Sequence, residues 1–204
     1  MEAFITAFNR IDLMSQTVAS LNECTELRRI IIHEDSKSPS YNIQAFENGY
    51  PNTLIYKTEG IGQHKSIEMF LENNKEKIIT LFSEEDWSFF ADYDWIKISV
   101  KLLEEYPNVI KVLARKGSPH LCKHTKSAFG IPYGFIEPWQ STDGILWHGF
   151  SWNPGVTRAD YLREFIPFPK WEQDLAEKIY NKGYRVIELG RPVYEHIGDN
   201  KSTH

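Results

Sequence analysis

A chain of 204 residues is the size of one domain and is long enough to bury a sizeable core. Its formal net charge of -5 argues against a generic nucleic-acid binder, which carries a basic excess or a basic face. Cys24 and Cys122 have no metal-ligand spacing and point to reduced thiols in a cytoplasmic setting; no stretch reaches the roughly 18 apolar residues of a membrane span, and no signal-peptide pattern opens the chain.

Residues 3–8 read as a strand that turns at Asn9-Arg10 into a helix whose Leu13, Met14, Thr17, Val18 and Leu21 share one face. Residues 29–33 form a continuous apolar run of the kind buried on both faces of a parallel sheet, ending in Glu34-Asp35-Ser36. A polar loop rich in Ser, Pro and Asn follows. Next come a strand at 53–57, the Gly60-Ile61-Gly62 turn and a helix carrying Ile67, Phe70 and Leu71. The run Ile78-Ile79-Thr80-Leu81-Phe82 then leads into Glu84, Glu85, Asp86 and Trp87, and a helix with Trp95, Ile96, Val100 and Leu103 lasts until Pro107. Strands alternating with helices predict an α/β domain with a mostly parallel sheet flanked by helices.

The second half is less regular. A strand is expected at 109–113, a long excursion of Gly, Pro, His, Lys and aromatics at 115–143, and a further strand at 144–150. A short helix over 160–165, a helix over 171–182 closed by Gly183, a strand at 184–188 and the tail 192–198 complete the ordered pattern.

Two common motifs fail. Lys65 stands where a dinucleotide fingerprint beginning at Gly60-x-Gly62 needs glycine, and no Walker loop is present. Gly149-Phe150-Ser151-Trp152-Asn153 resembles a nucleophile elbow, and Ser151, Asp174 and His196 follow the chain order of an α/β-hydrolase triad, but Asn153 breaks the elbow and Pro154-Gly155 follows instead of a helix. The acids are more informative. A strand that ends in Glu84-Glu85-Asp86 places carboxylates at the carboxyl edge of a sheet, where open α/β folds bind ligands. Oxygen ligands there suit a hard divalent ion shared with substrate phosphates.

The order of four features, the Phe8-Asn9-Arg10 turn, Asp35, the Glu84-Glu85-Asp86 cluster and a late acid followed by His196, resembles the GT-A glycosyltransferases, and most closely their family 2-like members. The resemblance spans nearly the whole chain. It implies a single GT-A-like, Rossmann-like domain over residues 1–204, with 1–106 binding a nucleoside diphosphate sugar and 107–204 holding the acceptor and the catalytic group. It implies that Phe8, Asn9, Arg10 and Asp35 meet the nucleoside, that Glu84 or Glu85 meets the ribose, and that Asp86 and His196 hold Mn2+ or Mg2+. An imidazole ligand tilts that choice toward manganese. Lys201 is placed on the diphosphate.

The same resemblance, aligned on Gly183-Tyr184-Arg185-Val186, places Glu172 on the catalytic base of an inverting transfer, with Asp174 in reserve. Trp171 stands where the base's acidic partner would be. Trp147, Trp152 and Trp171 are candidates for acceptor binding, since flat aromatic faces with polar edges suit sugar rings. Arg115, Lys116, His120, Lys123, His124 and Lys126 make the excursion basic and compatible with a phosphorylated or nucleic-acid acceptor, besides a glycan or small molecule. A donor-binding module without catalysis is the remaining class.

Overall fold

The computed structural model describes residues 1–75, 78–116, 126–141 and 144–198. Strand β1 (Glu2–Ala7) is buried along its whole length, as its apolar run requires. It feeds α1 (Ile11–Cys24), which buries the expected face of Leu13, Met14, Thr17, Val18 and Leu21. β2 (Arg29–Glu34) pairs parallel with β1. The loop expected next contains a helix instead, α2 (Ile43–Gly49), capped by the Asn42 side chain on the Ala45 amide. Only Phe46 of α2 is buried, so its sequence carries no apolar stripe to announce it. β3 (Thr53–Lys57) adds outside β2, and α3 (Gln63–Asn73) returns the chain.

β4 (Ile79–Glu84) pairs parallel with the other side of β1, so the order β3-β2-β1-β4 reverses between β1 and β4. This is the topological switch point at which an open α/β sheet leaves a crevice. After β5 (Trp87–Phe89) and α4 (Trp95–Glu105), capped by Asp94 on the Lys97 amide, β6 (Val109–Leu113) rejoins the sheet.

The expected long excursion is partly built into the sheet. β7 (Lys126–Ala128) and β8 (Ile131–Phe135) form a hairpin at its far edge. Its two-residue turn, Phe129-Gly130, has φ of 53° and 80°, the left-handed geometry of a tight hairpin turn. Pro132 and Gly134 hide this strand from a propensity reading. Of the strand expected at 144–150, only β10 (Leu146–Trp147) is observed; it pairs with β9 (Trp139–Gln140) in a separate ribbon.

No strand is expected at β11 (Gly155–Arg158), since Pro154-Gly155 at its start carries no strand propensity. It lies in the middle of the sheet, antiparallel to both β4 and β6. Then come α5 (Ala159–Leu162) with a 3-10 turn at Arg163–Phe165, α6 (Glu172–Asn181), and β12 (Arg185–Leu189), parallel to β6 and antiparallel to β8. β13 (Tyr194–His196) runs antiparallel to β5. Among the described residues only β11 and β8 run against the direction of the nine-stranded sheet, which is the mostly parallel α/β architecture expected.

Each face of the sheet carries its own core. Ala3, Ile5, Ile30, Ile32 and Leu81 pack with α1 and α4 on one side; Phe4, Ile31 and Phe82 pack with α3 and α6 on the other. Alternate residues of the same strands thus feed both layers. Among the described residues no helix is long and apolar enough to cross a membrane.

Gly155 shows how closely β11 is fitted. A Cβ there would stand 2.6 Å from Lys111 Cε, 2.7 Å from the Val112 carbonyl oxygen and 2.9 Å from Leu113 Cδ2. A carbonyl in a central strand cannot retreat, so Gly155→Ala is expected to destabilise the protein by about 2 kcal/mol through overpacking. Urea unfolding would read this as a lower midpoint with an unchanged slope; an unchanged midpoint would contradict the tight fit.

Candidate active site

The switch point gathers the ends of β1, β2 and β4. At β4 the chain turns through Glu85 and Asp86 into β5. Thr17 of α1 pins this turn: its hydroxyl donates to the Glu85 carbonyl at 2.6 Å and accepts from the Trp87 amide at 3.1 Å. The acids inside are compensated by Arg10. Its Nε donates to Glu85 Oε1 at 2.6 Å and one terminal nitrogen to Asp86 Oδ2 at 3.0 Å, with the side chain only 15% exposed. Burial disfavours the charged guanidinium, yet Glu85 and Asp86 hold its pKa above the ordinary value.

Asp86 and His196 are brought together as expected. Pairing of β13 with β5 puts His196 opposite Trp87, and the His196 Nε2 lies 3.1 Å from Asp86 Oδ2. The Ile197 amide donates to the Asp86 carbonyl, and Gly198 passes so close that a Cβ would stand 2.5 Å from Asp86 Oδ2. Asp86 Oδ1 is buried without a hydrogen-bonding partner among the described residues. No group of three or more His, Cys, Asp or Glu side chains able to hold a metal is found among those residues. The donor set on offer is therefore one carboxylate and one imidazole. That fits a divalent ion whose other ligands are phosphate oxygens and water.

Glu84, one of the two candidates for ribose, accepts from Gln63 Nε2 at 2.8 Å and from the Trp87 indole at 3.4 Å. Burial, reinforced by Asp86, Glu85 and Glu172, pushes its pKa up to about 7. Glu85, the other candidate, also accepts from the Phe8 amide at 3.4 Å. Burial raises its pKa in spite of Arg10.

At β2 the two acids divide their work. Glu34 is fully buried; it accepts from the Asn9 and Ser36 amides at 2.9 and 3.0 Å and from the Tyr41 hydroxyl at 2.7 Å. It thereby fixes the turn in which Asn9 has φ of 53°, while the Asn9 side chain accepts from the Ser40 amide at 2.7 Å. Asp35 is turned to the next loop: Oδ1 accepts from the Thr58 hydroxyl and the Gly60 and Ile61 amides, and Oδ2 from the Gly62 amide, all at 2.7–2.8 Å. Phe8, by contrast, is 46% exposed at the mouth of the crevice.

On the other side of the sheet, Glu172 opens α6 and Trp171 precedes it. Glu172 accepts a hydrogen bond from the Trp152 amide. Its pKa is raised by burial, against the pull of that amide and of Lys111. Trp152, expected on the acceptor side, is 4% exposed and packs against Phe82, Phe150 and Phe168, so its face is closed to an acceptor. Its indole instead donates to His64 Nε2 at 2.9 Å; His64 Nδ1 lies 2.9 Å from the Pro169 carbonyl, which assigns the Nδ1–H tautomer. Trp147 is stacked on Trp139, with ring centroids 6.1 Å apart. Trp171 alone of the three is widely exposed, at 58%, with Lys170 over its ring.

The hydrolase arrangement is not formed. The Ser151 hydroxyl is buried with no hydrogen-bonding partner among the described residues, Asp174 is on the exposed side of α6, and His196 lies beside Asp86. A serine with no base bonded to it is not activated as a nucleophile. In the basic stretch Lys116 pairs with Glu195, and Arg115 and Lys126 lie over the Trp87 and Tyr106 rings. Lys201, Cys122, His120, Lys123 and His124 lie outside the described residues.

Several site residues went unnoticed in the sequence. Glu34 stands beside Asp35 with nothing in the sequence to separate their tasks, and Gln63 and His64 carry no motif. Lys111 did leave a signal: it is a charge inside the apolar run 109–113 of a buried strand.

With this geometry in view, the fold can be matched to known ones. No protein-family model and no curated protein sequence matches the chain. Among solved structures, a mannosyltransferase from Pyrobaculum calidifontis in complex with GDP-Man and Mn2+ superposes with a TM-score of 0.67 at 14% identity, over 98% of this chain and 58% of the other. GalNAc-T7 with UDP, GalNAc and Mn2+ gives 0.67 at 10% identity over 96% and 43%. The 1-349 fragment of S. aureus TarS gives 0.63 at 15% over 97% and 60%. The domain therefore has the GT-A fold of glycosyltransferases, and it spans 43% to 60% of the lengths of these chains.

Asp35 offers a direct test of how the crevice wall is held. Burial alone would raise its pKa, but the bonds from Thr58, Gly62, Ile61 and Gly60 outweigh it and lower the pKa. A depressed carboxylate stabilises the fold above its unfolded pKa, near 3.9, and loses that contribution as pH falls through the folded value. Protection factors for hydrogen exchange at the Ile61 and Gly62 amides should thus stay high at neutral pH and fall only at more acidic pH. Asp35→Asn, which turns an amide toward one of these donors, should lose the protection at all pH values, at a cost of about 2 kcal/mol. Equal protection in the variant would exclude this role.

Proposed function

We propose that this protein is a glycosyltransferase that moves a sugar from a nucleoside diphosphate donor to an acceptor hydroxyl with the help of a divalent cation. The observation that carries the reading is the meeting of Asp86 and His196 at the switch point of a GT-A fold, with Asp86 Oδ1 buried and without a hydrogen-bonding partner among the described residues. The Mn2+ in two of the similar structures supports manganese as the ion. When bound, the ion would act as a Lewis acid on the diphosphate leaving group.

In this reading residues 1–106 take the donor. Phe8 offers an exposed ring face to the base, and Arg10 keeps Glu85 and Asp86 together before the ion and phosphates arrive. Glu84, held by Gln63, is the ribose contact, since Glu85 is engaged by Arg10. Asp35 and Glu34 shape the walls between which the nucleoside lies, and Lys201 would meet the diphosphate. Residues 107–204 take the acceptor. Its hydroxyl forms the new bond to the anomeric carbon as the bond to the diphosphate breaks, and Glu172 receives the hydroxyl proton. Attack from the face opposite the leaving group makes the reaction inverting. The exposed ring of Trp171 and the groove of about 590 Å³ along Gln63, His64, Phe168 and Lys170 supply an acceptor surface.

The neutral Trp171 in front of Glu172 favours one competing reading, a donor-binding module without transfer. Both readings predict that UDP or GDP raises the melting temperature only when Mn2+ is present, and that Asp86→Ala removes this shift. Equal nucleotide stabilisation in the variant without metal would refute the metal site. Sugar transfer or donor hydrolysis by the wild type, lost at least 100-fold in Glu172→Gln, separates the enzyme from the module. Binding without any turnover would leave the module.

A further inference from the structure

Lys111 is a buried charge that the proposed reaction leaves unused. It sits in β6 with 0% exposure, and its ammonium donates to the Ser151 carbonyl at 2.7 Å. The next amide along the chain, that of Trp152, donates to Glu172. These two groups belong to one peptide unit. A cation therefore grips the oxygen end of the Ser151–Trp152 peptide and an anion its N–H end, so each charge is aligned with the peptide dipole and polarises the bond made by the other.

The surroundings are built for this arrangement. The Phe150 and Trp152 rings face the ammonium at 5.3 and 5.9 Å. Gly155 on the adjacent strand leaves room for the lysine stem, since a Cβ would lie 2.6 Å from Lys111 Cε. Burying an ammonium is costly unless opposite charge answers it. Among the described residues the charged groups acting on Lys111 are Glu172 of α6 and Glu84 of β4. Glu172 is acted on in turn by Lys111 and the Trp152 amide. The Trp152 side chain is itself fixed by His64 of α3.

We infer that Lys111 is a positioning residue for the base, fixing the Glu172 carboxylate through the Ser151–Trp152 peptide and supplying its buried countercharge. This rests on the reading of Glu172 as the base. Burial brings the lysine's pKa down to about 7, so the two groups should titrate as a coupled pair.

The test is the pH profile of kcat/KM for wild type, Lys111→Met and Lys111→Gln, with donor turnover as the readout. Glu172 must be ionised to accept a proton, so its pKa sets the acidic limb. Loss of the cation should move that limb upward by about one unit and lower kcat at neutral pH about tenfold, with donor KM within about twofold of wild type. Lys111→Gln keeps a donor for the Ser151 carbonyl; it should recover part of kcat without restoring the limb. An unmoved limb in both variants, whatever their stability, overturns the proposal. Should neither variant fold, carboxyl-carbon NMR of the wild type decides: the resonance missing in Glu172→Gln must shift as the Lys111 amine titrates, and independent titrations overturn the proposal. Full turnover by Glu172→Gln would instead overturn the underlying choice of base.

Discussion

Carboxylates cannot be gathered at the end of a buried sheet unless opposite charge or hydrogen-bond donors answer them, and Arg10 is the answer on which the crevice depends. It leaves β1 at the point where the sheet order reverses and binds Glu85 and Asp86 at the end of β4. One guanidinium thus joins the two strands that flank the switch point. Removing one partner of a buried charged network costs about 3–5 kcal/mol, because the remaining charge is stranded. The adjoining elements follow the same rule. Thr17 pins the acidic turn, Glu34 answers the Asn9 and Ser36 amides, and Asp35 answers four donors of the Thr58–Gly62 loop.

A buried carboxylate oxygen of the acidic turn stays outside this compensation. Asp86 Oδ1 is buried and without a partner among the described residues, beside His196, where Gly198 keeps the passing chain clear of a side chain. Leaving such an oxygen unsatisfied costs about 1–3 kcal/mol, more for a charged group, and a bound ion is one of the explanations such an atom calls for. The insertion of β11 completes the site from the other side. By separating β4 from β6 in an otherwise parallel run, it carries residues 151–155 between them, and the Ser151–Trp152 peptide joins a lysine of the sheet to the glutamate that opens α6.

Most of the parallel half was legible in the sequence because its strands are apolar runs ended by acids and its helices carry single apolar faces. The acid–imidazole pair was legible through order along the chain, although 110 residues separate Asp86 from His196. What escaped has physical reasons. α2 buries one side chain, β8 contains Pro132 and Gly134, and β11 begins with a glycine demanded by Lys111 on a neighbouring strand, a contact that no local pattern encodes. The tryptophans misled for a related reason: composition does not say which face of a ring is covered. Trp152 lies in the core, Trp147 is stacked on Trp139, and Trp171 is open.

The central claim is that Asp86 and His196 hold a cation shared with a diphosphate. Electron spin-echo spectroscopy of the protein with Mn2+ and a nucleoside diphosphate addresses it most directly, because nitrogen and phosphorus nuclei on the ion modulate the echo separately. Both modulations are expected in the wild type, with the nitrogen signal lost in His196→Ala and the phosphorus signal retained. A protein-bound manganese–nucleotide complex without nitrogen modulation, or with one that survives His196→Ala, would contradict it.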